Sequence, residues 1–167
     1  ASGLGTEIGR LLAGCGAKVG LLDRDEEALQ RVGTEIENSG GSVLTVPCNV
    51  TSADELAAAV EAIKAQWGRL DIVVANAGIN GVWAPIDELT PDEWDQTLDV
   101  NLKGVFQTVR ASIPALKEAG DGSIILISSL VGNRVFNMAG ASAYAASKAG
   151  IVAFGRASAL ELAKNNI

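Results

Sequence analysis

Short apolar runs alternate along the chain with longer stretches whose apolar positions recur every three or four residues. The first pattern predicts buried strands and the second predicts amphipathic helices. Thr6 to Ala13 reads as a helix entered directly from the glycine-rich Ala1-Ser2-Gly3-Leu4-Gly5. Lys18 to Leu22 is an apolar run ending at Asp23, and Asp25 to Asn38 is a helix stopped by Gly40-Gly41. Ser42 to Val46 is a strand closed by Pro47. Thr51 or Ser52 caps a helix through Trp67, with Asp54 and Glu55 in its first turn and Gly68 at its end. Leu70 to Ala75 is a buried strand. Thr90-Pro91-Asp92-Glu93 opens a helix with proline at its first position. That helix continues past Asn101 to Leu116, strained at Gly104 and Pro114. Ser123 to Ile127 is a further strand, and Ala141 to Lys164 is the last helix. Fully apolar strands separated by helices imply βαβ units, right-handed crossovers and a parallel sheet covered on both faces. The prediction is one α/β domain over residues 1–167, with no internal repeat or linker.

Composition narrows the function. Hydrophobic residues make up 48% of 167, enough for a real core and too many for a disordered chain. The net charge of −7 and pI of about 4.6 argue against a nucleic-acid backbone or an anionic membrane as partner. No apolar run approaches the roughly 20 residues of a membrane span, and the first residues do not read as a signal peptide. Cys15 and Cys48 make neither a disulfide framework nor a zinc site, and fit a reduced cytoplasmic protein. The absence of histidine removes the Ser-His-Asp triad and every histidine-based metal site. Acid/base chemistry then falls to Tyr, Lys, Asp, Glu or Cys, and no metal site is expected.

Tyr144 and Lys148 stand at i and i+4 near the start of the last helix, which stacks a phenol and an ammonium on one face. Free tyrosine titrates at about 10, and a neighbouring cation favours the phenolate, so such a pair can move protons near neutral pH. Alone the pair is also what chance places on a solvated helix. Gly3 and Gly5 at a strand-to-helix turn let the backbone approach a phosphate. Asp23 follows roughly 20 residues later, where a carboxylate can accept from an adenosine ribose. Together they favour a dinucleotide over a plain turn and a loop carboxylate.

With these residues in place, the chain resembles the short-chain dehydrogenase/reductase family. Gly3 and Gly5 match the last two glycines of its T-G-x-x-x-G-x-G motif. Ala75-Asn76-Ala77-Gly78 is similar to its N-N-A-G motif, with Ala in first place. Asn101 in Val-Asn-Leu-Lys-Gly, Ser128-Ser129 after a strand, and Tyr144-x-x-x-Lys148 follow in the family's order. The resemblance implies a doubly wound parallel sheet of Rossmann type. It implies that the family's first strand and last third lie outside this chain, which is then an incomplete domain. It also implies roles. Tyr144 is the acid/base. Lys148 favours the tyrosinate and holds the nicotinamide ribose. Ser129, rather than Ser128, polarises the substrate oxygen, and Asn101 holds a water linking Lys148 to solvent. Gly3, Leu4, Gly5, Asp23, Asn49, Val50, Asn76, Ala77 and Gly78 line the cofactor, with Asn49 accepting from the adenine amino group in place of the usual Asp. The interval from Ser129 to Tyr144 is longer than usual, which points to an insertion between Asn133 and Gly140.

The implied activity is hydride transfer between a nicotinamide cofactor and a secondary alcohol or ketone. Asp23 and the acids Asp25, Glu26 and Glu27 favour NAD over NADP, against the single cation Arg24. Trp83 reads as a wall of the substrate pocket and Trp94 as core. Ile151, Val152, Phe154, Ala157 and Leu160 on the last helix suggest a homo-oligomer. A non-catalytic dinucleotide-binding protein on the same fold is the alternative, and a sugar-nucleotide epimerase ranks below it because Gly3-Leu4-Gly5 does not fit that glycine pattern.

Overall fold

A computed structural model describes residues 2–134 and 138–167. Ala1 of the glycine-rich opening and positions 135–137 of the expected insertion lie outside the described residues.

Helix α1 (Gly3–Gly14) leads to strand β1 (Lys18–Asp23), α2 (Glu26–Asn38) and β2 (Ser42–Pro47). Then come α3 (Ala53–Trp67), β3 (Ile72–Ala75), α4 (Pro91–Leu98) and α5 (Gly104–Ala119). Strand β4 (Ser123–Leu126) and α6 (Ser142–Leu162) complete the order. Helix α1 starts at Gly3, earlier than expected, so both glycines of the opening lie in its first turn. The helix expected from Thr90 to Leu116 is two α-helices joined by one wide π-helical turn, Asp99–Lys103.

Local chemistry explains the ends. The Ser52 hydroxyl accepts from the Glu55 amide and caps α3, so Ser52 rather than Thr51 is the cap. Gly68 closes α3 at φ 81°, a left-handed conformation that glycine adopts without a Cβ penalty. Helix α4 opens on a capping box: the Thr90 hydroxyl accepts from the Glu93 amide, and the Glu93 carboxylate accepts from the Thr90 amide at 2.9 Å.

The strands are parallel, as expected. Among the described residues they form two pairs, β1 with β2 and β3 with β4, because no described segment is hydrogen-bonded between β1 and β3. Alternation along β1 shows how both faces are covered. Val19 and Leu21 pack with Ala13 of α1 and Leu29, Val32 and Ile36 of α2. Leu22 turns the other way, to Leu56 and Ala59 of α3. Gly20 does so too: a Cβ there would stand 2.5 Å from Ile63 of α3. A second layer joins Ala75 and Leu126 to Val105 of α5 and to Ile151 and Phe154 of α6. Trp94, expected in the core, is only partly buried. The architecture is α/β of Rossmann type, with helices on both faces of parallel strands.

Candidate active site

Parallel strands put their carboxyl ends on one side, the place where open α/β sheets bind ligands. Asp23 ends β1, and its Oδ1 accepts from the Asp25 amide at 3.1 Å. The Cys48 amide extends the first pair by donating to the Asp23 carbonyl at 2.9 Å, and the Ile127 amide extends the second by donating to Ala75 at 3.1 Å. Asn49, Asn76 and Ser128 follow directly at the same edge.

The glycine opening fits an anion. Gly3 has φ 51°, and Ser2 at the N-cap makes no side-chain capping bond, so the first-turn amides of α1 are not taken by that side chain. A Cβ on Gly5 would stand 2.8 Å from the Asn76 Nδ2, so α1 and the end of β3 approach as closely as glycine permits. Ala77 and Gly78 are exposed beyond that contact, and Leu4 is exposed beside it. Val50, partly buried, packs against Gly104 at the start of α5. Asn49, expected to accept from the adenine amino group, also holds a local turn. Its Oδ1 accepts from the Thr51 amide at 3.0 Å and the Thr51 hydroxyl at 2.9 Å, so an adenine amino group would compete with Thr51 for that oxygen.

The polar residues of α6 gather around one buried amine. Lys148 is 5% exposed, and its Nζ donates to the Ile127 carbonyl at 2.9 Å. Burial pulls its proton affinity below the ordinary lysine value, because removing an ammonium from water disfavours the charged form. The same Nζ lies 5.7 Å from the centroid of the Tyr144 ring. A Cβ on Gly78 would come within 3.4 Å of Lys148 Nζ and 3.2 Å of Asn101 Oδ1, so this glycine keeps the space between them open.

Asn101, in the π-helical turn, is fully buried. Its Oδ1 accepts from the Ile79 amide at 2.7 Å, while its Nδ2 donates to the Ile79 carbonyl at 2.9 Å and to the Ser147 hydroxyl at 3.1 Å. The two serines after β4 separate cleanly. Ser128 donates its hydroxyl to the Lys148 carbonyl at 2.8 Å, whereas Ser129, in extended backbone at the head of the 3-10 turn Leu130–Gly132, makes no capping bond. Trp83 is 50% exposed on the loop after Gly78, and the Ala84 amide of that loop donates to the Gly140 carbonyl just before α6.

The structure thus brings Gly78, Asn101, Tyr144, Lys148 and the Ser128-Ser129 segment into one neighbourhood. Asp23, Asn49, Val50 and the α1 opening line the same strand edge. Sequence reasoning passed over Ser147 and the carbonyls of Ile79 and Ile127. Ser147 carried a signal, since it lies one turn after Tyr144 in a run of alanines. The carbonyls carried none, because any residue supplies one.

Comparison with known proteins gives the family. The chain matches the short chain dehydrogenase family over residues 1–167. It is 37% identical over 168 residues to a (5R,7aS)-5-hydroxy-7a-methyl-1-oxo-2,3,5,6,7,7a-hexahydro-1H-indene-carboxyl-CoA reductase of Mycobacterium tuberculosis, covering 99% of this chain and 63% of that protein. A 3-ketoacyl-ACP reductase structure from Sinorhizobium meliloti superposes with a TM-score of 0.96 at 45% identity, over 99% of this chain and 65% of the other. A metagenomic short-chain oxidoreductase solved with NADP superposes at 0.90 with 38% identity, over 99% and 73%. The chain therefore spans a little under two thirds of the length of the first two relatives. With its strand-edge site and its Tyr144–Lys148 helix, the chain belongs to the short chain dehydrogenase family.

Proposed function

We propose that the protein is an oxidoreductase that interconverts a secondary alcohol and its ketone, with Tyr144 as acid/base. The observation that carries this is Lys148: an amine buried to 5% exposure, hydrogen-bonded to Ile127 and held 5.7 Å from the Tyr144 ring. A structural lysine would reach solvent. One held inside, against the cost of burial, supplies a fixed positive field to the phenol beside it. The names of the two relatives above, reductases of a ring compound and of a ketoacyl group, support the substrate class.

In this reading Tyr144 gives its proton to the ketone oxygen, or takes it from the alcohol in the reverse direction. Ser129 donates a hydrogen bond to the same oxygen and stabilises the charge that develops there. Ser128 has a supporting part through the Lys148 carbonyl. Lys148 keeps the phenol ready and holds a ribose, and Asn101 holds a water that links Lys148 to solvent. A nicotinamide dinucleotide supplies the hydride acceptor or donor when bound. Gly3, Leu4 and Gly5 would hold its phosphates, Asp23 its adenosine ribose, Asn49 and Val50 its adenine, and Asn76, Ala77 and Gly78 its nicotinamide half.

Solved relatives carry NADP in one case and NAD in another. We favour NAD for this chain because the Asp23 carboxylate, with Asp25, Glu26 and Glu27 behind it, opposes a 2′-phosphate bearing about −1.5 to −2 charge. The partner is a small alcohol or ketone, not a nucleic acid or a membrane. Among the described residues no helix is long and apolar enough to cross a membrane. Unpaired Cys15 and Cys48 suit a reducing, cytoplasmic setting. Helix α6 supports a homo-oligomer. Ile151 is core and Phe154 packs edge-on against Phe106, but Leu160 is 84% exposed and Ala157 is exposed beside it.

The test is Tyr144→Phe in the natural protein, assayed with both cofactors. The substitution should abolish turnover and leave dinucleotide binding intact, while the unmodified protein shows the higher kcat/KM with NAD. Turnover that survives the substitution would reject the acid/base, and a preference for NADP would reject the role of Asp23.

A further inference from the structure

A serine in the middle of an alanine-rich helix needs a reason. Its hydroxyl competes with the backbone and costs helix stability relative to alanine. Buried, it costs more unless both its donor and its acceptor are used. Ser147 sits among Ala145, Ala146 and Ala149 and is fully buried. Its proton goes to the Tyr144 carbonyl at 2.7 Å, and its lone pair takes the Asn101 Nδ2 at 3.1 Å.

The direction of each bond is fixed by the next. The Ile79 amide can only donate, so it sets Asn101 Oδ1 as acceptor at 2.7 Å. That places both amide protons of Asn101 elsewhere, one on the Ile79 carbonyl at 2.9 Å and one on Ser147. Ser147 must then spend its own proton on Tyr144. A single chain of donors runs from the segment after Gly78, through the π-helical turn, to the turn of α6 that carries Tyr144.

Lys148 is already held at both ends, its amine by Ile127 and its carbonyl by Ser128. Both contacts come from the segment following β4. Among the described residues, Asn101–Ser147 is the one side-chain hydrogen bond between the π-helical turn and α6.

We propose that Ser147 is a positioning residue: its hydroxyl locks the Tyr144–Lys148 turn to Asn101 and so sets where the phenol and amine stand relative to the Gly78–Ile79 segment. This rests on reading Tyr144 as the acid/base. Asn101, by the same logic, acts through its side-chain amide as the other half of the lock.

Ser147→Ala, Asn101→Ala and the double variant test it in the natural protein. Tyr144 is the one tyrosine of these residues, so the ultraviolet difference between the protein and its Tyr144→Phe variant follows its phenolate without any turnover. Ser147→Ala should lower kcat by roughly tenfold with KM within about twofold, as expected for a small misplacement of reacting groups. The kcat–pH profile and the phenolate titration curve should be displaced together relative to the unsubstituted protein. Asn101→Ala, which also loses Ile79, should displace both at least as far, and the double variant should be no worse than Asn101→Ala alone, because the two act as a unit. Ser147→Cys, which keeps a weak donor and acceptor in similar volume, should fall between and is read in place of Ser147→Ala if that variant does not fold. A changed melting temperature with the pH profile and titration curve unmoved would overturn the proposal, as would effects that add. Failure of the acid/base reading shows separately, as activity retained by Tyr144→Phe.

Discussion

Gly132 is the position where one methyl group should do the most damage. It closes the 3-10 turn after Ser129 and faces the backbone of α6. A Cβ there would stand 2.6 Å from the Lys148 carbonyl carbon, and 2.7 Å from both the Lys148 oxygen and the Ala149 nitrogen. These are backbone atoms of a helix interior and cannot rotate away, so the turn and the helix must separate. Overpacking of this kind costs about 1–3 kcal/mol, and a backbone clash belongs at the upper end. For a domain of this size about 3 kcal/mol lowers Tm by about 6–12 °C. The separation also carries Ser129 away from Lys148 and Tyr144. A misplacement approaching 1 Å can cost about 100-fold in rate, so a shift of a few tenths should cost kcat roughly tenfold. Gly14→Ala is the control, because a Cβ on that helical glycine meets nothing within 4 Å and should be neutral or stabilising. Melting curves and steady-state kinetics on both variants give the answer. If Gly132→Ala melts within about 2 °C of the parent and keeps its kcat, the contact between turn and helix is not as tight as the reasoning requires.

Lys148 makes stability depend on pH in a definite direction. Its ammonium binds its proton less tightly in the fold than in the unfolded chain, where the value is 10.5, so between the lowered value and 10.5 the unfolded state holds more protons and stability rises with pH. Urea unfolding of the protein and of Lys148→Met across that window should show the parent gaining on the variant as pH increases, and a constant difference would contradict the burial cost. Thr90→Ala removes the hydroxyl of the capping box and should cost about 1 kcal/mol, or about 2–4 °C in Tm, without altering KM; an unchanged melt would mean that the box contributes nothing to α4.

Much of this was legible from local chemistry, and what was not has non-local causes. The Ser52 and Thr90 caps are written in a few consecutive residues, and the structure uses both. The Tyr144–Lys148 pair needs only helical spacing to meet. The π-helical turn has no such local mark. Within it Asn101 reaches Ile79 and Ser147, which are distant in sequence. Asn49 was legible in part. The family pattern drew attention to an adenine contact, while Thr51 two residues on was a local sign of the turn that occupies its oxygen. The parallel strands form two pairs among the described residues, in keeping with the incomplete doubly wound sheet that the family resemblance implied. Trp94 was assigned to the core for its place on a helix, yet that helix has only Thr97 buried.

The widened turn at Asp99–Lys103 amounts to a surplus residue, and its phase shows what the surplus is for. Buried side chains before, in and just after it include Thr97, Asn101, Val105 and Val109, spaced every fourth residue. Each such step overshoots a full α-helical turn by about 40°, so an uninterrupted α-helix would rotate the last of them about 120° from the first. A wider turn takes up that excess. Without one residue between Asn101 and Val105, the middle step would shorten to three and the mismatch would shrink to about 20°. The two apolar faces would then sit on one ordinary helix. Phase alone does not call for the surplus residue; with it, the wide turn keeps Asn101 on the inward face it shares with Thr97, Val105 and Val109.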